Sequence, residues 1–234
     1  MVNVINDSMK ESDKLLLENC DPEDIGDMIP QIGRSFGVVF ERDAFLEVKT
    51  FGEFCEVVAA AVKTLQRDDC TSQQAFYKLR AAMVTVLDGG GVEIAPATRI
   101  DELFPRKGRR RRMRELRRVL GVKLGMLDWK PSVGIAMLIG YLLCVAGIFV
   151  NWRYGVAGLL GCVVANWVAW RLANELVCDT VGEAAWLFEG KYYHRARRDP
   201  DTVNRAEIVP VVQEIFRVGL GLPMEALAPE AVMF

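Results

Sequence analysis

The chain has 234 residues, 51% of them hydrophobic, and a formal net charge of -2, so its length suffices for one or two domains with filled cores. That near-neutral total hides blocks of -9 over 1–105, +9 over 106–130, +2 over 131–174 and -4 over 175–234. Charge and apolar content are both concentrated in particular segments, which argues against a freely soluble single enzyme domain.

Residues 1–20 carry a helical pattern only around 11–19. From Pro22 to Phe36 the apolar positions Ile25, Met28, Ile29, Ile32 and Phe36 recur at the helical period. They predict an amphipathic helix with Glu23, Asp24, Asp27 and Arg34 in water, Pro22 in its first turn and Gly37 at its stop. A loop with one minor helical turn is expected over 38–49. Thr50 and Glu53 then have the spacing of a capping box, opening a helix whose apolar face is Phe51, Phe54, Cys55, Val58, Val62 and Leu65.

The run IGRSFGVVFERDAFLEVKTFGEFCEVVAAAV, from Ile32 to Val62, resembles the acyl carrier protein superfamily. Phe36 and Gly37 match the aromatic and glycine that close that family's second helix, and Thr50, Phe51 and Glu53 match the opening of its last one. The resemblance implies a small helical bundle over 1–70. It fails at the attachment site, because carrier proteins bear phosphopantetheine on the serine of an Asp-Ser-Leu motif at the start of helix two. Here that stretch reads Cys20, Asp21, Pro22, Glu23, with no serine, so an active acyl carrier is not expected.

Thr71 with Gln74 gives another capping pattern, followed by the apolar face Phe76, Leu79, Met83, Val86 and Leu87 up to Asp88. Gly89, Gly90 and Gly91 make a turn but lack the Gly-Lys-Ser/Thr ending of a phosphate-binding loop. A loop with a brief helical turn over 96–105 leads into KGRRRRMRELRRVLGVKLG, where Met113, Leu116 and Leu120 share a face and predict a basic amphipathic helix. A second small helical domain over 71–130 follows. Arg109, Arg110, Arg111 and Arg112 are assigned to anionic lipid, worth about 1 kcal/mol per close charge, with an acidic protein face or nucleic-acid phosphates as the alternatives. The words CTSQQAFYKLR and DELFPRKGRRRRMRELRRVLGVKL also resemble a bacterial membrane-linked family, a resemblance that brings no activity with it.

Two apolar runs, Val133 to Val150 and Gly155 to Ala173, are each long enough to cross a bilayer at about 1.5 Å per residue. Trp129, Trp152, Tyr154, Trp167 and Trp170 sit near their ends, as interfacial aromatics do. Only Asn151, Trp152, Arg153 and Tyr154 join the runs, so 131–174 reads as a transmembrane helical hairpin. The basic block before it and Lys191, Arg195, Arg197 and Arg198 after it predict both termini in the cytoplasm, and the setting is a bacterial inner membrane. Small residues recur every fourth position, Ala136, Gly140 and Cys144 on the first helix and Ala157, Gly161 and Ala165 on the second. They predict close packing between the helices or between protomers, with Asn166 as a hydrogen-bonding partner.

In 175–234, Thr180 with Glu183 and Asn204 with Glu207 mark two further helix starts, the second weakened by Pro210. RAEIVPVVQEIFRVGLGLPMEALAPEAVMF, from Arg205, resembles helix one and the following loop of the acyl carrier superfamily. Two arrangements are open to the sequence: a carrier-like bundle split between the two ends of the chain, or a complete N-terminal bundle using residues 8–20 with the C-terminal helix packed elsewhere. No Cys-x-x-Cys pair occurs, His194 is the only histidine and has no acid or thiol at catalytic spacing, so no metal, cofactor or catalytic residue is assigned. The expected fold is mainly α. The expected function is a non-enzymatic, membrane-anchored adaptor that recruits a cytoplasmic protein and self-associates, with a role in lipid or acyl-chain metabolism and a nucleic-acid tether as alternatives.

Overall fold

The computed structural model describes residues 16–87, 91 and 93–233, so the expected pattern over 11–15 and the turn residues Asp88, Gly89 and Gly90 lie outside it. The described chain is mainly helical. A short 3-10 turn over Leu17–Asn19 precedes α1 (Pro22–Phe36), α2 (Phe51–Ala61), β1 (Leu65–Gln66), α3 (Thr71–Val86), α4 (Ile100–Leu103) and α5 (Arg109–Leu120). Then come β2 (Leu127–Asp128), α6 (Pro131–Val150), α7 (Trp152–Leu172), β3 (Glu175–Leu176), α8 (Val181–Lys191), α9 (Tyr193–Ala196), β4 (Thr202–Val203) and α10 (Arg205–Leu220). The chain forms two compact units, one taking residues up to Lys78 and again from Ala185, the other running Leu79–Ala184.

In the first unit α10 packs on α1 and α2, and one core joins the two ends of the sequence. Ile25, Met28, Ile32 and Phe36 come from α1, Phe51, Phe54 and Val58 from α2, and Ile208, Val212 and Phe216 from α10. Phe216 meets Phe51 and Phe54 edge-on, with centroids 5.3 and 5.2 Å away, a geometry worth about 0.5–1.5 kcal/mol per pair beyond area burial. Helix α1 starts where Asp21 Oδ1 accepts the Glu23 N–H at 2.9 Å and stops at Gly37, whose φ of 70° suits glycine. Helix α2 has the expected capping box: Thr50 Oγ1 accepts from Glu53 N–H, and Glu53 Oε2 accepts from Thr50 and Lys49 N–H. It ends at Ala61, earlier than expected, because Leu65 enters β1, which pairs in parallel with β4 and leaves Leu65 exposed.

Two cap expectations need correction. Thr71 is the first residue of α3 rather than its cap, and its hydroxyl accepts from Arg197 at 2.6 Å. Pro210 does not shift the start of α10, which begins at Arg205 with Asn204 Oδ1 accepting from Ala206 N–H. The missing proline N–H would have bonded the Ala206 carbonyl, and both residues are exposed to water.

In the second unit α5 buries Met113 and Leu116, with Leu120 half-buried, as its pattern predicts. Gly121, with φ 68°, ends it. Strands β2 and β3 pair antiparallel, placing Asp128 opposite Glu175 at the base of α6 and α7.

One construction occurs twice, its first copy within the first unit and its second centred on the second unit, with α3 and α8 crossing the unit boundaries. In the first, Gly52 N–H donates to Pro229 O at 2.9 Å, Phe51 N–H to Ala231 O at 2.9 Å and Met233 N–H to Lys49 O at 2.9 Å. In the second, Gly182 N–H donates to Pro96 O at 2.8 Å, Val181 N–H to Thr98 O at 3.0 Å and Ile100 N–H to Asp179 O at 2.9 Å. Each contact follows a matching sequence word: Leu227-Ala228-Pro229 corresponds to Ile94-Ala95-Pro96, and Thr50, Gly52 and Glu53 to Thr180, Gly182 and Glu183. Both capping glutamates accept the amide before their threonine, and a Cβ on either glycine would press on the proline carbonyl. The buried Ile208, Val212 and Phe216 of α10 match Ala75, Leu79 and Met83 of α3, and Gly37-Val38 after α1 matches Gly121-Val122 after α5.

Candidate functional site

Helices α6 and α7 are long and apolar enough to cross a membrane, and their described residues are half-buried at most except at Gly155: 0% and 6% of the residues in the two apolar spans are buried. Their contacts run in opposite directions along the two helices. A Cβ at Gly155 would strike the backbone of Ile148, one at Gly158 would meet Cys144 Sγ and one at Gly140 would meet Cys162 Sγ. The thiols of Cys144 and Cys162 stand 3.8 Å apart.

Within one chain this seam uses only part of the small-residue set singled out from sequence. Gly140 and Asn166 are half-buried, but Ala136, Ala157, Gly161 and Ala165 are exposed, and nothing lies within 4 Å of a Cβ at Gly161. The used positions alternate three- and four-residue steps, Gly140, Cys144 and Gly147 against Gly155, Gly158 and Cys162, which keeps them on one side of a helix with 3.6 residues per turn. A strict step of four drifts off that face. The connection is also tighter than the four residues expected: only Asn151 lies outside helix, and its side chain accepts from the Arg153 N–H at 3.1 Å. Trp152, Tyr154, Trp167 and Trp170 are exposed, and Arg171 stacks over the Trp167 ring at 4.9 Å.

The basic helix α5 divides its arginines between structure and surface. Arg109 is 4% exposed, donating to Phe104 O at 2.7 Å and Asn174 O at 2.9 Å, and so departs from its expected lipid role. Burial, then the neighbouring Arg106, pull its pKa below the usual guanidinium value. Arg117 likewise donates to Leu124 O. Arg110 and Arg111 are exposed and Arg112 half-buried, while Arg114 and Arg118, not singled out from sequence, are exposed and line a shallow groove with Arg111 and Glu115. Helical spacing from the buried Met113 and Leu116 identifies this outer set.

At the start of α1, Asp21 is occupied as the cap and Pro22 offers no nucleophile. The nearest thiol, Cys20, donates to Leu16 O, and burial followed by the Asp24 charge raises its pKa, so it stays protonated. His194 packs its ring against Gly37 and places Nδ1 2.9 Å from Ser35 O, a structural position. Among the described residues no group of three or more His, Cys, Asp or Glu side chains is disposed to hold a metal ion.

Sequence reasoning also missed a buried polar hub. Arg197 is fully buried, with Glu207 Oε2 3.8 Å from its guanidinium. Glu207 accepts from Thr71 N–H at 3.0 Å and from Tyr193 O–H at 2.7 Å. Burial pushes the Tyr193 phenol up to about 12, so it remains a donor throughout the physiological range. Comparison with known protein families, curated proteins and solved structures finds no match for this chain.

Proposed function

We propose that the chain is a non-enzymatic adaptor, held at the cytoplasmic face of a bacterial inner membrane by a two-helix transmembrane hairpin, and that its helical units recruit a protein partner. The outward apolar surface of α6 and α7 carries this reading. Leu142, Leu143, Phe149, Leu160 and Val164 are all more than half exposed, a side-chain distribution suited to hydrocarbon and costly in water at about 25 cal/mol per Å². Exposed Arg110, Arg111, Arg114 and Arg118 lie on the helix just before the first span, where positive charge resists translocation and attracts anionic headgroups. The exposed Ala157, Gly161 and Ala165 leave a small-residue face for association between protomers.

Topology is tested by cysteine labelling in a background lacking the native cysteines. A cysteine at Arg153 reacts from outside, whereas cysteines at Ser8 and Glu230 react only after permeabilisation; opposite-side reaction of the last two refutes the hairpin. Recruitment is tested by co-purification from detergent with and without the cytoplasmic units, and recovery of no deletion-sensitive protein counts against it.

A role beside acyl-chain metabolism is the second reading, favoured by the packing of α10 and its tail with α1 and α2 in the order that the acyl carrier resemblance implies. The capped, serine-free start of α1 supports service to another carrier rather than self-modification. Coexpression with a phosphopantetheinyl transferase leaves the intact mass unchanged on this reading, and a phosphopantetheine-sized increase overturns that part of it.

A further inference from the structure

The seam between α6 and α7 contains two thiols that neither membrane anchoring nor recruitment of a partner requires. Cys144 Sγ and Cys162 Sγ come from different helices, 18 positions apart in sequence, and stand 3.8 Å from one another. Two glycines make the room. A Cβ at Gly158 would come within 2.7 Å of Cys144 Sγ, and one at Gly140 within 3.5 Å of Cys162 Sγ. Each helix thus carries a glycine four residues before a cysteine, and the antiparallel pairing sets each cysteine over the glycine of the other helix. Both cysteines lie inside the apolar spans, and both are half-buried, so neither side chain is sealed within the seam.

Two converging sulfurs in an apolar slot define a narrow chemistry. Two metal-sulfur bonds of about 2.3 Å reach up to about 4.6 Å across a linear ion, so the pair already stands within bridging distance. Neither helix contains Asp, Glu or His. Without oxygen ligands the pair does not suit magnesium, calcium or manganese, and two ligands leave half of the tetrahedral shell of zinc empty. Copper(I) is soft, is selected by thiolates and is satisfied by two of them in a line. Charge points the same way. When one thiol releases its proton and its sulfur bonds the monovalent ion, the thiolate-copper-thiol unit is neutral, as an apolar interior demands.

We propose that Cys144 and Cys162 form a two-coordinate site for copper(I) within the hairpin. Gly140 and Gly158 are its positioning residues, because they leave the space in which the two sulfurs face one another. The site is separate from the adaptor role and does not depend on which side of the membrane the termini occupy.

The test uses the full chain in nonionic detergent with Cys20, Cys55, Cys70 and Cys178 replaced by serine, kept anaerobic with ascorbate. Copper(I) is supplied as its coloured bicinchoninate complex, and transfer to the protein is read as loss of that colour. One copper per chain is expected, bound about tenfold more tightly for each pH unit raised, as displacement of a proton requires. Cys144→Ser and Cys162→Ser each weaken binding by about a hundredfold or more, and equimolar zinc(II) does not compete. Gly158→Ala keeps both thiols but pushes Cys144 Sγ aside, and weakens binding by about tenfold or more, whereas Gly161→Ala meets open space and leaves it unchanged. The wild type gives a measurement that needs no substitution: copper(I) protects Cys144 and Cys162 from N-ethylmaleimide, read by peptide mass spectrometry, while the exposed Cys70 still reacts. Absence of transfer, unchanged affinity in either serine variant, equal affinity of Gly158→Ala and Gly161→Ala at unchanged helicity, displacement by zinc(II), or alkylation indifferent to copper each overturns the proposal.

Discussion

Arg197 ties four stretches of the first unit together through one guanidinium. Its Nε donates to Thr202 Oγ1, one terminal nitrogen to Thr71 Oγ1 and Asp69 O, and the other to Arg67 O and Asp69 Oδ1, so all five N–H groups are used. Arg197→Met leaves these acceptors and the Glu207 charge facing an apolar side chain. The expected cost is about 3–5 kcal/mol, read as a lower urea midpoint for the first unit. Arg197→Lys recovers little of it, because three donors on one atom do not reach five separated acceptors.

Glu189 titrates with the opposite consequence to Glu53. Burial, then the Glu207 charge, raise the Glu189 pKa, so its contribution to stability is complete below the unfolded value of about 4.3 and is lost as pH rises through the folded value. Glu189→Gln is thus expected to gain stability over the wild type between pH 4.5 and pH 8, in paired urea titrations; a gain only at low pH contradicts the assignment. The Lys49 and Thr50 amides lower the Glu53 pKa, so its contribution stands above the unfolded value and fades as pH falls through the folded one. Glu53 was legible from its three-residue spacing to Thr50. Thr71, with the same spacing to Gln74, was misleading, because its hydroxyl is claimed by Arg197, 126 positions away.

At the scale of elements, local pattern located the helices and failed on which side of them meets what. Apolar length and interfacial aromatics marked α6 and α7, but both faces of such helices are apolar, so hydropathy carries no information about the seam. Small residues fill both the seam and the outer face, and close contacts at Gly140, Gly155 and Gly158, against open space at Gly161, separate them. A leucine at Gly155 forces α7 off the Ile148 backbone, at a cost of about 1–3 kcal/mol, whereas Gly161→Leu projects into open space and leaves the pair intact. Oxidation of Cys144 and Cys162 to a disulfide reports the difference. With the other four cysteines replaced by serine, the wild type and Gly161→Leu cross-link within one chain, detected as the loss of two hydrogens in the intact mass, and Gly155→Leu does not. Equal cross-linking in all three rules out this seam.

For the whole molecule, the internal repeat was the feature least visible in sequence. The first unit takes its helix α10 and the Leu-Ala-Pro tail from the end of the chain, whereas the second has its Ile-Ala-Pro tail before α5 and α8. Permuted order, a long apolar stretch between α5 and α8, and sparse, scattered identities hide the match from a scan along the chain. The correspondence makes α6 and α7 an insertion between the equivalents of α1 and α2, where the first unit has only the turns of 42–47. Their removal should accordingly spare the rest of the second unit. Asp128 stands opposite Glu175 in β2·β3, so the two ends of the insertion are already neighbours. Replacing 129–173 by one glycine and keeping Asn174 creates a two-residue Gly-Asn connection of the kind that closes β-hairpins, and preserves the Asn174 carbonyl that takes Arg109. Among the described residues removed, only Gly155 is buried, and it is buried against Ile148 of the same insertion. The shortened chain is expected to purify without detergent, to lose sedimentation with membranes and to keep the dispersed amide resonances of Met113, Leu116 and Val181. Aggregation, or collapse of those resonances with the first unit still folded, would mean that α6 and α7 are part of the second unit's core rather than an addition to it.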